Sequence, residues 1–256
     1  MKTVILCGGL GTRLSEETVV KPKPMVEIGD RPILWHIMKN YSHYSYNSFV
    51  LALGYKGEKI KEYFLNYNNL SSDLTVNLKN GKVLKSQNNN DNWEVQMIDT
   101  GIKSMTGGRL HRLENLLKSE DRFMMTYGDG LGDIDIRKLV SFHKEHGKIA
   151  TMVAVRPPAR FGSMTFNENQ VLEFKEKPQT GEGWINGGFF IFESEIFKYL
   201  NGDETVLEAD PLESLARDGQ LMAFKHDGFW QCMDTLRDKI YLNKIFNEGK
   251  APWKNW

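Results

Sequence analysis

The 256-residue chain has only two cysteines, Cys7 and Cys232, and no net charge, its 33 Lys and Arg balancing 33 Asp and Glu. Two cysteines make no disulfide framework and suit a reducing compartment. A balanced charge lacks the basic face that general nucleic-acid binding requires, so any polyanion must be met by local clusters. No apolar run approaches the length that spans a bilayer, which predicts no membrane insertion. Met1 leads almost at once into a strand pattern, with no basic stretch and apolar leader before it, so a cytoplasmic location is expected. No internal repeat or low-complexity linker divides the chain.

Two phosphate-binding motifs are also missing. A dinucleotide loop needs Gly-x-Gly-x-x-Gly, but Gly9 and Gly11 are followed by Thr12, Arg13 and Leu14. The third glycine is absent, and so is the Gly-x-x-x-x-Gly-Lys-Ser/Thr loop. The first absence weakens a nicotinamide oxidoreductase reading.

What is present starts with a short apolar run, Val4 to Cys7, that ends at Gly8, Gly9 and Gly11. It reads as a buried strand opening into a loop that a ligand can approach closely. Free backbone N–H groups in such a loop bind anions. Arg13, Lys21 and Lys23 add cations near the same point, and Pro22 and Pro24 hold Lys23 on a stiff segment. The combination predicts a triphosphate site.

Strand and helix patterns alternate along the rest. Strands are expected at 49–53, 74–78, 123–127, 150–155, 188–192 and 221–225, with an antiparallel pair at 163–166 and 171–174. Helices are expected at 32–41, through Ile60, Phe64 and Tyr67, through Leu110, Leu113 and Leu117, at 136–147, near 194–200 and 210–218, and from Leu236 to Phe246. The polar run 79–92 reads as a surface hairpin or mobile loop. Alternating β and α segments imply an α/β fold with a mixed, mostly parallel sheet covered by helices on both faces. Ligands of such sheets bind beyond the carboxyl ends of the strands. Gly8 to Arg13 and Gly128–Asp129 both follow apolar strands at that end, so they are expected on one rim. Asp129 is then either a metal ligand or a simple turn aspartate, and Asp234 either a metal ligand or a helix N-cap.

The blocks Gly8 to Leu14, Pro22 to Met25 and Pro32 to Leu34 resemble the signature of the sugar-1-phosphate nucleotidyltransferases. Further blocks resemble most closely the glucose-1-phosphate cytidylyltransferase family: Asp99-Thr-Gly, Ser104 to Leu110, Tyr127 to Gly130, Ile185 to Phe190, Phe229 to Gln231, Met233 to Asp238 and Lys250 to Trp253. The chain departs from that pattern at Cys7, where alanine is usual, and Cys232, where proline is usual. The resemblance implies a single Rossmann-like, glycosyltransferase-A-like domain over 1–235 with a sugar-binding segment at 156–193. The helix and tail at 236–256 would belong to the same domain or to an oligomer interface.

The resemblance also implies a reaction: CTP and α-D-glucose 1-phosphate give CDP-glucose and pyrophosphate, a step in making surface polysaccharide such as O-antigen. Mg²⁺ would be held by Asp129 and Asp234. Lys23 would hold the α- and β-phosphates, and Arg13 would neutralise the leaving pyrophosphate. Arg109 would touch phosphate, its competing role being an exposed helical arginine. Leu6, Cys7, Gly8, Gly9, Leu10, Gly11, Thr12, Ser104, Thr106 and Gly128 would complete the nucleotide site. Glu176, Lys177, Asn186 and Gly187 would bind the sugar phosphate, with a strand bulge as the alternative at 186–188. UTP and dTTP stay open as nucleotides, since one exocyclic amine separates cytosine from uracil, and a non-catalytic sugar-nucleotide binder is a further alternative. Trp253 and Trp256, with little sequence left to cover them, suggest a homo-oligomer, with packing back on their own domain as the alternative, and the family implies a hexamer.

Overall fold

The computed structural model describes residues 1–85, 91–157, 163–167, 170–175 and 183–256. Seven strands form the central sheet: β1 (Thr3–Cys7), β2 (Ser48–Leu53), β3 (Glu94–Asp99), β4 (Arg122–Tyr127), β5 (Ala150–Val155), β6 (Ile185–Glu193) and β7 (Leu221–His226). Their order is β3-β2-β1-β4-β6-β5-β7. Pairs β1–β2, β1–β4, β2–β3 and β5–β7 are parallel, while β6 runs antiparallel to both β4 and β5. The expected mixed, mostly parallel sheet is therefore present, and β6 is its reversed strand.

Alternation along each strand sends side chains to two separate cores. On β1, Val4 joins a cluster with Leu110, Leu113, Leu117, Phe197, Leu212 and Leu215. Its neighbours Ile5 and Cys7 join the other cluster, with Ile33, Ile37, Tyr41, Leu139 and Leu242. Helices α1 (Ile33–His43), α2 (Gly57–Leu65), α3 (Thr106–His111), α4 (Ile136–His146), α5 (Asp210–Arg217) and α6 (Leu236–Asn247) supply these layers. Asp135 caps α4 by accepting from Lys138 N, and Gly147 ends it in the left-handed region at φ 60°.

Three expectations change in detail. The Leu110 stripe is split between α3 and a short turn of helix, Glu114–Leu117, although all three leucines remain buried. Helix α2 stops at Leu65, and Tyr67 opens a separate turn, Tyr67–Leu70. The strand expected at 74–78 runs Leu74–Asn77 and pairs antiparallel with Lys82–Lys85 in the polar run, both strands exposed. Residues 86–90 of the polar run lie outside the described residues. The segments Ser163–Asn167 and Gln170–Lys175 pair antiparallel as expected.

The C-terminal tail corrects the argument for an oligomer. Trp253 is fully buried in the chain's own core, with its ring 5.6 Å from that of Phe229 and its indole N–H donating to His36 Nδ1 at 3.4 Å. Trp256 packs edge-on against Trp35 at 5.8 Å. Trp253 is covered by the chain's own core and Trp256 is half-buried against α1, so the burial that argued for a partner is largely supplied within the chain. No helix among the described residues is long and apolar enough to cross a membrane.

Candidate active site

Strands β1 and β4 are adjacent and parallel, so their carboxyl ends bring Gly8 to Arg13 and Gly128–Asp129 to one rim. Gly128 N donates to Leu6 O at 3.1 Å, which fastens the two strand ends together. The glycine loop then turns through Gly11 at φ 66°, a conformation that favours glycine. Thr18 Oγ1 donates to Gly11 O at 3.0 Å and fixes the far side of the turn.

Arg109 is neither an exposed helical arginine nor a free cation. It is 5% exposed, and its guanidinium lies under the loop. It donates to Gly8 O at 2.9 Å, Gly101 O at 2.6 Å, Thr100 Oγ1 at 2.9 Å, Leu53 O at 3.2 Å and Ile102 O at 3.3 Å. A side chain on Gly8 would collide with this guanidinium, so glycine is required there by packing. Arg109 thus shapes the loop from beneath while its edge lines the cavity.

Lys23 opens a short turn, Lys23–Met25, after Pro22 in extended conformation. Its ammonium donates to Asp129 Oδ2 at 2.7 Å and also to Asp234 Oδ1. Arg13 reaches the second Asp234 oxygen at 2.6 Å, its own side chain 75% exposed. Burial alone would lower the Lys23 pKa, but Asp129 and Asp234 outweigh it, and the net shift is upward.

Asp129 and Asp234 are distant in sequence. They meet because Gly130–Gly132 pairs antiparallel with Trp230–Cys232, and Met233 N donates to Asp129 O at 2.8 Å. Asp234 does not cap helix α6. Thr235 does, in a capping box with Asp238. Asp238 Oδ2 accepts from Asp234 N at 3.1 Å and Thr235 N at 2.9 Å, so the helix start orients Asp234 toward Lys23.

Two adjoining cavities open here. The first holds about 400 Å³. Its walls include every described residue expected at the nucleotide site except Leu10, which is 53% exposed. Thus Leu6, Cys7, Gly8, Gly9, Gly11, Thr12, Arg13, Lys23, Ser104, Thr106, Arg109, Gly128 and Asp129 come together. The second cavity, about 180 Å³, shares Arg13, Tyr127 and Asp129 and adds Asn186, Gly187, Trp230 and Asp234. The β5–β6 register shifts opposite Gly187 and Gly188, so a strand bulge and a cavity wall coincide there. Glu176 and Lys177 lie outside the described residues.

Burial pushes the Cys7 thiol far up, with Arg109 pulling the other way, so Cys7 stays protonated as a packed side chain. Burial and then Asp234 push Cys232 to about 11. Neither is a nucleophile at neutral pH. The sequence reading missed Tyr127 as a side chain, Glu208 and Trp230. Tyr127 was visible as the last residue of an apolar strand at the rim. Glu208, an exposed charge between two helices, carried no signal.

The nucleotidyl transferase family model matches residues 2–238. The chain is 52% identical over its full length, and the relative's, to glucose-1-phosphate cytidylyltransferase of Salmonella typhimurium. The chain belongs to the nucleotidyltransferase family, on its glucose-1-phosphate cytidylyltransferase branch. A probable glucose-1-phosphate cytidylyltransferase of Bacillus subtilis is 42% identical, again over all of both chains. In three dimensions, HddC from Yersinia pseudotuberculosis superposes with a TM-score of 0.70 at 24% identity, covering 96% of this chain and 99% of that one, which speaks to the fold. Arg13 and Asp129 stand at the junction of the two cavities.

Proposed function

We propose that the protein transfers the cytidylyl group of CTP to α-D-glucose 1-phosphate, giving CDP-glucose and pyrophosphate. The observation that carries this is the junction itself: Lys23, Arg13, Asp129 and Asp234 meet where the two cavities adjoin, the first taking the nucleotide and the second the sugar phosphate. The names of the relatives supply CTP and glucose 1-phosphate.

The attacking phosphate oxygen of the sugar is already ionised, so no protein base is required. It approaches the α-phosphorus in line with the departing pyrophosphate. The chain's contribution is positioning and charge neutralisation. The glycine loop offers backbone N–H groups, Lys23 bears on the α- and β-phosphates, and the exposed Arg13 meets the pyrophosphate. Glu176 and Lys177 are proposed for the sugar phosphate, with Asn186 and Gly187.

Asp129 and Asp234 suit a Mg²⁺ ion. Their carboxylates converge on a single cation, the Lys23 ammonium. No cluster of three or more His, Cys, Asp or Glu able to hold a metal occurs among the described residues. Two carboxylates with water and phosphate oxygens make a usual Mg²⁺ shell. When bound, the ion would neutralise nucleotide phosphate charge.

The test is pyrophosphate release by purified protein over a panel of CTP, UTP and dTTP at fixed glucose 1-phosphate, with Mg²⁺ and with EDTA. Turnover with CTP and Mg²⁺ is expected, and preference for UTP or dTTP would replace CTP in the reading. Absence of turnover would favour a non-catalytic binder. We also propose a cytoplasmic homo-oligomer, a hexamer by family resemblance, with no nucleic-acid or membrane partner. The exposed Leu74, Val76, Leu78 and Val83 on the hairpin support an oligomer, and Val76 pairs with Val83 there. Light scattering that finds only monomer would reject it.

A further inference from the structure

We infer that Glu208 is a positioning residue that links the nucleotide cavity to the sugar cavity through Tyr127; the inference rests on the proposed assignment of the two cavities. Glu208 lines only the first cavity. Its two oxygens accept from different residues: Oε1 from the Tyr127 hydroxyl, and Oε2 from Thr106 Oγ1 at 2.5 Å. Leu207 N donates to Thr106 Oγ1 at 2.9 Å, which holds this segment against the start of α3.

The connection continues past Tyr127. A phenol has one proton, and Tyr127 gives it to Glu208, so its oxygen is left as an acceptor. Asn186 Nδ2 donates to that oxygen at 3.2 Å. Asn186 Oδ1 is then free to accept from Gly188 N at 2.8 Å. The carboxylate therefore fixes the direction of the Tyr127 proton, and that direction, together with the Gly188 N–H, fixes which end of the Asn186 amide faces Tyr127. Without Glu208 the phenol can donate to Asn186 instead, and only Gly188 N then holds the amide against turning over. An amide presenting the wrong end to a sugar hydroxyl exchanges a hydrogen bond for a donor–donor or acceptor–acceptor contact. Glu208 thus acts on a cavity whose wall it does not form, while its other oxygen orders Thr106 beside the nucleotide.

The test is steady-state kinetics of Glu208→Ala, Tyr127→Phe, Thr106→Val and the double variant Glu208→Ala/Tyr127→Phe, with the triphosphate that the wild type uses best. Tyr127→Phe should raise KM for the sugar phosphate about three- to tenfold, the usual range for one lost hydrogen bond, and move the nucleotide KM less. Thr106→Val should do the reverse. Glu208→Ala should raise both. The double variant should show no larger sugar-phosphate KM than the larger of its single variants, because both changes break one chain of contacts. Glu208→Gln keeps one acceptor oxygen and should fall between Glu208→Ala and wild type. Melting temperatures close to wild type are expected, since Glu208 is exposed and Tyr127→Phe keeps the ring. A Glu208→Ala that moves only the nucleotide KM, or additive effects in the double variant, would overturn the inference. A wild type that turns over no triphosphate with the sugar phosphate overturns the cavity assignment and this inference with it.

Discussion

Replacing Lys23 by Met should expose how much the junction depends on charge balance. The ammonium is 2.7 Å from Asp129 Oδ2 and also contacts Asp234, with side-chain exposures of 12%, 28% and 12% for Lys23, Asp129 and Asp234. At an effective dielectric of 20, one contact at that distance is worth about 6 kcal/mol gross, most of it offset by desolvation. Breaking a buried pair by deleting one partner costs about 3–5 kcal/mol, and water reaching Asp129 brings this to roughly 2–3 kcal/mol. For a chain of this size the melting temperature should fall by about 4–12 °C. The raised Lys23 pKa gives the sign of the pH dependence. The contribution is fully present below the ordinary lysine value of 10.5 and is lost as pH rises through the higher folded value. A second measurement separates charge from packing. In the wild type the ammonium occupies the point on which both carboxylates converge, so Mg²⁺ must compete with it. In Lys23→Met the carboxylates face the ion alone. A tenfold gain in affinity would add about 1.4 kcal/mol at saturation, or about 3–6 °C of extra Mg²⁺ stabilisation over the wild type. Thermal melts without nucleotide, with Mg²⁺ and with EDTA, read this directly. An equal Mg²⁺ shift in both proteins would refute the reasoning. Turnover should fall by about 10²–10³-fold.

Three other outcomes follow from the same geometry. His36 is fully buried, with Nε2 against Ile28 O at 2.9 Å and Nδ1 accepting from Trp253, and burial lowers its pKa from 6.5 to about 4. The unfolded chain therefore binds the proton more readily, so stability is complete above about pH 6.5 and lost as pH falls toward 4, by about 2 kcal/mol at pH 5. Urea melts at pH 7 and pH 5 should show this loss shrinking in His36→Gln, and an undiminished loss would count against it. Trp253→Ala empties a fully buried site and should cost about 3–5 kcal/mol, lowering the melting temperature by roughly 6–20 °C while kcat at low temperature is kept. Asp238→Ala removes the acceptor that orients Asp234, and the Mg²⁺ concentration for half-maximal turnover should rise about tenfold or more; an unchanged Mg²⁺ requirement would remove Asp238 from the site.

Much of the fold was legible because the inner strands of the sheet are buried on both faces. Val4 and Ile5 enter different cores, so the sequence shows an unbroken apolar run where a one-sided sheet would show alternation. Helix ends marked by a cap, as at Asp135 and Gly147, were legible too. Breaks inside an apolar stripe were not. Leu113 N bonds to Leu110 O across the end of α3, so the chain tightens and restarts without moving its leucines off one face. Spacing cannot register that change. The tail misled for a related reason. The partners that bury Trp253 and Trp256, among them His36 and Trp35 on α1, stand at the opposite end of the sequence.

The site divides along the same line. Glycines, Lys23 and Asp129 were legible because each stands just beyond a strand or on a proline-stiffened turn, where position alone implies a rim. Arg109 was legible as a member of the site but not in its work, since nothing local reveals that five acceptors, four of them backbone carbonyls, would converge on one guanidinium. The pairing of Asp129 with Asp234 depends on two three-residue strands, Gly130–Gly132 and Trp230–Cys232, too short for any periodicity. Yet this small ladder decides the chemistry. It carries the Asp129 backbone onto Met233, and the capping box at Thr235 then has one geometry in which Asp234 N meets Asp238, which leaves the Asp234 carboxylate facing Lys23 and Arg13. Glu208 extends the same logic on the opposite side. Its effect passes through two hydroxyl protons, and a proton's direction is set only once the fold has brought Thr106, Tyr127 and Asn186 within reach of one another. The residues proposed to bind phosphate can be found from their neighbours in sequence, whereas those that orient them are found from their neighbours in space.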